Sequence, residues 1–154
     1  MSPVVGIVMG SDSDRAAMQK AGEVLERFGI EFEIEVMSAH RNPRRVAEYA
    51  SGAEERGLRV IVAGAGLSAH LPGVVAAHTT LPVIGVPLYN DALAGADALY
   101  SCVQMPPGVP VATVGIGGTK NAGLLAVQML AAGDDALRDK LRDLKAQMAQ
   151  GMKL

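Results

Sequence analysis

The sequence predicts a three-layer α/β sandwich built on a parallel sheet, and three observations carry that prediction. Short apolar runs recur, the mark of strands buried on both faces. Segments with apolar residues at helical spacing separate them, so strand and helix alternate along the chain. Glycine or proline punctuates most of the junctions.

The first run, residues 4–9, is ended by Gly10-Ser11-Asp12-Ser13-Asp14. A helix follows with Met18, Ala21, Leu25 and Phe28 spaced for one face, and Gly29 stops it. Residues 31–37 alternate instead, Phe32, Ile34 and Val36 against Glu31, Glu33 and Glu35. That strand has one exposed face and belongs at or near a sheet edge. Asn42-Pro43 then starts a helix predicted over 43–56 and closed by Gly57, since Asn caps and proline suits the first helical position. Residues 60–63 form a buried strand leading into GAGLSAHLPG at 64–73. A short helix to about residue 79, a strand over 83–86 closed by Pro87, a helix over about 91–103 and a proline-rich loop follow. The fifth strand is expected over 111–116.

Five strands with the second at an edge predict the flavodoxin-like order 2-1-3-4-5. The loops after strands one, two and three then adjoin at the carboxyl end of the sheet, where ligands bind in open α/β folds. Two helices remain. Residues 121–132 (NAGLLAVQMLAA) are apolar almost all round, so both faces are expected to meet protein. A C-terminal helix over about 134–152 carries Leu137, Leu141, Leu144, Met148 and Met152 on one stripe. It could cover its own domain, but beside the apolar helix before it a subunit interface is the favoured expectation.

A chain of 154 residues fits a single domain, 1–154, able to bury about two-thirds of its unfolded surface. Only five residues are aromatic, so Ala, Val, Leu, Ile and Met must build the core. A net charge of −2 with no block of like charges argues against a nucleic-acid or anionic-membrane partner. One cysteine, Cys102, excludes an intrachain disulfide and fits a reducing compartment. No signal peptide or membrane-length apolar stretch is evident, and a soluble, cytoplasmic protein is expected.

The chemistry sits in the three loops. Ser38-Ala39-His40-Arg41 delivers a hydroxyl, an imidazole and a guanidinium between a strand and a capped helix. Histidine can exchange a proton near neutral pH, and arginine can grip a phosphate or carboxylate in bidentate fashion. The first loop opens a helix, whose N–H groups attract anions, and Ser11 and Ser13 add donors. Asp12 and Asp14 would repel a phosphate, so at least one is suited to sugar hydroxyls; simple capping is the competing explanation. In the third loop His70 is either a second polar contact or a helix-capping group, and His78 reads as structural. There is no Walker lysine, no dinucleotide glycine spacing, no serine-hydrolase elbow and no metal-ligand cluster. These residues by themselves describe an anionic small-molecule site with one candidate acid/base, His40.

Taken in order, GSDSD, SAHRNP, GAGLSAHLPG, LPVIGVP, VQMPPGVPVATV and KNAGLLAVQML resemble the N5-carboxyaminoimidazole ribonucleotide mutases of purine biosynthesis over residues 4–130. The resemblance implies a flavodoxin-like fold, a homo-octamer with active sites near subunit contacts, and neither cofactor nor metal. It implies transfer of a carboxylate from an exocyclic nitrogen to a ring carbon, with His40 as proton shuttle. Ser38, Arg41 and Ser13 would hold the phosphate and Asp14 the ribose. Ser11 and the backbone of 64–70 would surround the carboxylate, so that Ala39, Gly64, Ala65, Gly66, Ser68, His70 and Leu71 complete the expected site. Two departures stand out: Asn42 where the pattern has Thr, and Leu67-Ser68 in place of a Gly-Ala pair. A sister group, the aminoimidazole ribonucleotide carboxylases that use free carbon dioxide, typically has Lys after the SAH triplet and lacks His-Leu-Pro-Gly. Arg41 and His70-Leu71-Pro72-Gly73 favour the mutase. A non-enzymatic nucleotide-binding module of the same fold is the remaining alternative.

Overall fold

The computed structural model describes residues 2–154. Five strands, β1 (Val5–Met9), β2 (Phe32–Val36), β3 (Val60–Ala65), β4 (Val83–Pro87) and β5 (Ala112–Thr113), form one sheet. All pairings are parallel and the order is β2-β1-β3-β4-β5, as the sequence predicts. Among the described residues six α-helices flank it: α1 (Arg15–Phe28), α2 (Pro43–Ser51), α3 (Leu71–Ala77), α4 (Ala96–Val103), α5 (Thr119–Ala131) and α6 (Asp135–Ala149).

Strand alternation splits the apolar residues into two cores. Val5, Ile7 and Met9 with Val60, Val62, Ile84 and Val86 face α1, α5 and α6. Val8, Ile61, Ala63 and Val83 face α2, α3 and α4. Aliphatic side chains fill both, as the scarcity of aromatics requires. On the first side α5 approaches α1 until backbones meet: a Cβ on Gly123 would lie 2.6 Å from the Ala21 carbonyl oxygen.

The edge strand β2 is less exposed than its pattern implies. Ile34 and Val36 pack on the first core, while the glutamate face is half-buried under α2 and the turns after it. Tyr49 Oη donates to Glu33 Oε1 at 2.7 Å, Arg56 pairs with Glu33 at 3.1 Å, and Arg45 pairs with Glu35 at 2.7 Å. Burial, then the neighbouring Glu33 carboxylate, pushes the Tyr49 hydroxyl well above its ordinary pKa.

Several boundaries move. α2 stops at Ser51, not residue 56, because the chain turns at Gly52 and Arg56 folds back to donate to the Tyr49 carbonyl. α4 starts at Ala96, not near 91, since Ala94 and Gly95 take left-handed φ of 53° and 84° that no helix continues through. β5 keeps only two residues; beyond Thr113 the chain still tracks β4 through Val114 N–H to Gly85 O and Gly117 N–H to Pro87 O, without regular pairing.

The α6 stripe lies mostly on the chain's own domain. Leu144 is buried, and Leu137, Leu141 and Met152 pack against the α1–α5 core; Met148 remains exposed. Of the two expectations for this helix, the packing shows the cover over its own domain. The basic residues of α6 also complete neighbouring helix ends, where carbonyls lack intrahelical partners. Lys140 donates to Phe28 O at the end of α1, and Arg138 donates to Ala131 O and Ala132 O at the end of α5.

Candidate active site

At the carboxyl end of β1, β2 and β3 the three predicted loops line one cleft of about 650 Å³. The strand order explains the convergence: β1 sits between β2 and β3, so the loops that follow them are spatial neighbours.

The first loop is a short 3-10 turn over Asp12–Asp14, capped by Ser11, whose Oγ accepts from Ser13 N–H (3.4 Å) and from Ser13 Oγ (2.9 Å). Asp12 turns outward to Arg15 at 2.8 Å and does not line the cleft. Asp14 does, and its partial burial raises its carboxyl above the ordinary value, partly offset by a backbone hydrogen bond. Of the two aspartates, Asp14 alone is placed for a ligand.

The second loop is held at both ends. Asn42 caps α2 by accepting from Arg45 N–H at 3.2 Å, with Pro43 in the first turn, as its sequence predicts. Ser38 Oγ accepts from both the backbone N–H and Nε of Arg41, at 3.1 and 3.2 Å. Arg41 Nη2 donates to Gly10 O at 2.9 Å, tying the second loop to the first. The guanidinium is thus fixed in orientation without any carboxylate partner in its hydrogen-bond set. An immobilised cation among hydroxyls suits a phosphate, because little conformational freedom is lost when the anion arrives.

The third loop supplies a second imidazole. His40 Nε2 lies 2.7 Å from His70 Nδ1, with the rings edge-to-face at 4.9 Å between centroids. One of these nitrogens must carry the shared proton and the other accept it. His70 is the N-cap residue of α3, but its side chain makes no capping hydrogen bond and meets His40 instead. This contact engages Nε2 of His40 and leaves Nδ1 outside it.

Of the residues expected at the site, Ser11, Ser13, Asp14, Ser38, Ala39, His40, Arg41, Ala65, Gly66, Ser68, His70 and Leu71 all line the cleft. Gly64 does not. It lies inside β3, where a methyl group would collide with Met18 of α1, so its smallness serves packing. His78 is exposed at the end of α3, outside the cleft. Cys102 is buried in α4, and burial pushes its thiol up to about 11, which disqualifies it as a nucleophile at neutral pH.

Three lining residues were not among those expected at the site, Gly10, Tyr89 and Asn90, while Leu67 lies in the 64–70 stretch whose backbone was expected there. Tyr89 and Asn90 follow β4, next to β3 in the sheet, and their position past a strand's carboxyl end was the available signal. Leu67 carries a φ of 55°, which an L side chain adopts at a cost of about 1–2 kcal/mol.

The AIR carboxylase family pattern matches residues 4–151. The chain belongs to the AIR carboxylase family. Among similar AIR carboxylase relatives, N5-carboxyaminoimidazole ribonucleotide mutase of Pyrococcus abyssi is 57% identical over 146 residues, covering 95% of this chain and 84% of that protein. The Synechocystis protein of the same name is 58% identical over 144 residues, covering 94% and 82%. Phosphoribosylaminoimidazole carboxylase of Saccharomyces cerevisiae is 55% identical over 141 residues, 92% of this chain but 25% of that longer protein. The crystal structure of Treponema denticola PurE superposes with a TM-score of 0.87 at 34% identity, covering 96% of this chain and 92% of that one.

Proposed function

We propose that the protein is an N5-carboxyaminoimidazole ribonucleotide mutase of purine biosynthesis, forming 4-carboxy-5-aminoimidazole ribonucleotide. The observation that carries the reading is the His40–His70 pair, standing in the same cleft as an immobilised Arg41 and the serines around it. A shared acid/base and an anion cradle are what carboxyl transfer on a phosphorylated nucleotide requires.

In this reading Arg41, Ser38 and Ser13 take the phosphate and Asp14 accepts from ribose hydroxyls. Protonated His40 gives its proton to the exocyclic nitrogen as the N–C bond breaks. The bond pair stays on nitrogen and carbon dioxide is released. The ring carbon then attacks carbon dioxide, and neutral His40 removes the ring proton, restoring aromaticity. Each proton given at nitrogen is regained at carbon, so the cycle is balanced with no redox partner. His70 acts through His40: shifting the proton between Nε2 and Nδ1 lets the outward nitrogen of His40 alternate between donor and acceptor.

The chain works without metal or cofactor in this scheme, in the cytoplasm, and as a homo-octamer. Exposed Tyr89, Leu93, Tyr100, Val103 and Ile116 support assembly, because large apolar side chains at this density are characteristic of association surfaces. No helix among the described residues is long and apolar enough to cross a membrane.

The deciding experiment supplies the carbamate nucleotide in one arm, and bicarbonate with the uncarboxylated nucleotide in the other. Efficient turnover of the carbamate, unchanged by EDTA, is expected. Turnover by the bicarbonate route alone would make the enzyme a direct carboxylase, and turnover in neither arm would favour a nucleotide-binding module.

A further inference from the structure

After β5 the chain turns through Gly115-Ile116-Gly117-Gly118 into Thr119, the first residue of α5. Gly117 takes a left-handed φ of 69°, and a Cβ on Gly118 would lie 2.9 Å from the Gly115 carbonyl oxygen, so the turn needs glycine at both positions. Beside it Lys20 of α1, Thr119, Lys120, Asn121 and Leu154 line a cavity of about 320 Å³. It shares no lining residue with the His40 cleft.

Hydrogen-bond donors collect here without acceptors. The N-cap residue, Gly118, has no side chain to offer, and the N–H groups of Lys120 and Asn121 meet no acceptor among the described residues. Such orphaned N–H groups stand at the positive end of the helix dipole. Thr119 adds an independent signal. It is only 3% exposed, and its hydroxyl makes no hydrogen bond among the described residues. Nor is that hydroxyl sealed in the core, because Asp97 Oδ1 is the one fully buried side-chain oxygen or nitrogen there that lacks a partner. The opening left to it is the cavity that Thr119 lines. Lys20 and Lys120 face the same space, and neither is paired with an aspartate or glutamate among the described residues. Lys120 Nζ donates to Leu154 O at 2.7 Å, and the ammonium's other donors remain.

We propose that the start of α5 is a second anion site, which takes a phosphate group, either orthophosphate or the phosphate of a small phosphomonoester. Main-chain N–H groups, a hydroxyl and two ammonium groups approach from several sides. A tetrahedral phosphate answers them with oxygens in several directions, whereas a carboxylate has two in one plane. The proposal stands apart from the mutase reading, since it uses none of the cleft's residues. An occupant would brace the turn whose Ile116 lies against Gly95, beside the backbone of Tyr89 at the rim of the cleft.

The test is calorimetric titration of the intact protein with orthophosphate at low ionic strength. One class of site should respond to Thr119 and Lys20 and be indifferent to Arg41→Lys. Thr119→Val keeps the volume and removes the hydroxyl; losing a hydrogen bond to a charged group should weaken that class about tenfold. Thr119→Ser should bind like wild type. Lys20→Gln, on an exposed face of α1, should weaken it about threefold. Titration with ribose 5-phosphate, read on the same class, separates the two sources. Tighter binding than orthophosphate selects a phosphomonoester, equal or weaker binding selects the free ion, and either supports the site.

Phosphate binding that ignores both Thr119→Val and Lys20→Gln would mean an adventitious ion only and would overturn the proposal. So would a Thr119→Val protein with a lower melting temperature and unaltered phosphate affinity, which would assign the hydroxyl to packing. Should Thr119→Val fail to fold, Lys20→Gln still decides, because wild-type affinity in that variant removes the site.

Discussion

In the layer of α1, α5 and α6, Ala21, Ala122, Ala126 and Val127 are fully buried, and helices close until Gly123 has no room for a methyl group. Across the sheet's carboxyl end, Ser13, His40 and Arg41 are exposed, and directional hydrogen bonds tie them to Ser11, His70, Ser38 and Gly10. The same sheet supports both regions. The layer is specified by volume, so any hydrophobic residue of the right size serves. The cleft is specified by chemistry and direction, and of its lining only Ala65 and Leu71 belong to the buried core, with Ala39 packed against it. Changes in the layer should therefore act on stability and changes in the cleft on rate.

The sharpest separation should come from His40→Asn. Asparagine keeps hydrogen-bonding capacity but cannot cycle a proton at neutral pH, and general acid–base catalysis is worth ~10²–10⁴-fold. One residue serving both directions places the loss of kcat at the upper end, with melting temperature and product affinity nearly unchanged. His70→Asn should lose less, because His40 remains. Retention of more than about a tenth of wild-type kcat by His40→Asn would remove it as the shuttle, the margin lying well inside that range.

The opposite signature is expected in the layer. Leu144→Asp puts a carboxylate where the side chain is 3% exposed, and an unpaired buried charge costs several kcal/mol. Denaturant titration should show the loss, while the fraction still folded should keep the wild-type KM. A selective change in KM with stability intact would show that the two regions are not separable.

Arg41→Lys sharpens the comparison inside the cleft. Lysine keeps the charge but cannot hold Ser38 and Gly10 while presenting a planar fork to phosphate. Losing one charge-assisted hydrogen bond should raise KM about tenfold, with kcat little changed. Steady-state kinetics showing an unchanged KM would place Arg41 outside the phosphate subsite.

The smallest effect crosses the boundary between regions. Partial burial raises the Asp14 pKa, so the folded state holds its proton more tightly than the unfolded chain. Whatever stability this contributes is present below the unfolded carboxyl value, ~3.9, and is lost as pH rises through the folded value. Asp14→Asn should therefore melt slightly higher than wild type at pH 7, with the gain disappearing in acid, while nucleotide binding weakens. Calorimetry that finds no gain at neutral pH would place the carboxylate in a better-solvated position.

The sequence by itself determined the layer order, the strand order and which loops meet. Those follow from local signals: continuous apolar runs for β1 and β3, the Phe32–Val36 alternation at the edge, and the Asn42-Pro43 cap. It also singled out His40, Arg41 and the serines by their functional groups, and the fold brings them to one cleft. Tertiary structure alone decided what depends on distance between residues far apart in the chain. The His40–His70 contact spans 30 positions, and no local pattern encodes it. Gly64 reads like a loop glycine until Met18 is seen against it, and Tyr89 and Asn90 enter the cleft only because β4 lies beside β3. The α6 stripe announces a buried seam, but periodicity cannot say whose surface covers it; the packing of Leu144 on the chain's own helices does. Hydrophobic pattern fixes which face is buried, while partner and separation arise from the global fold, where contacts between remote segments are made.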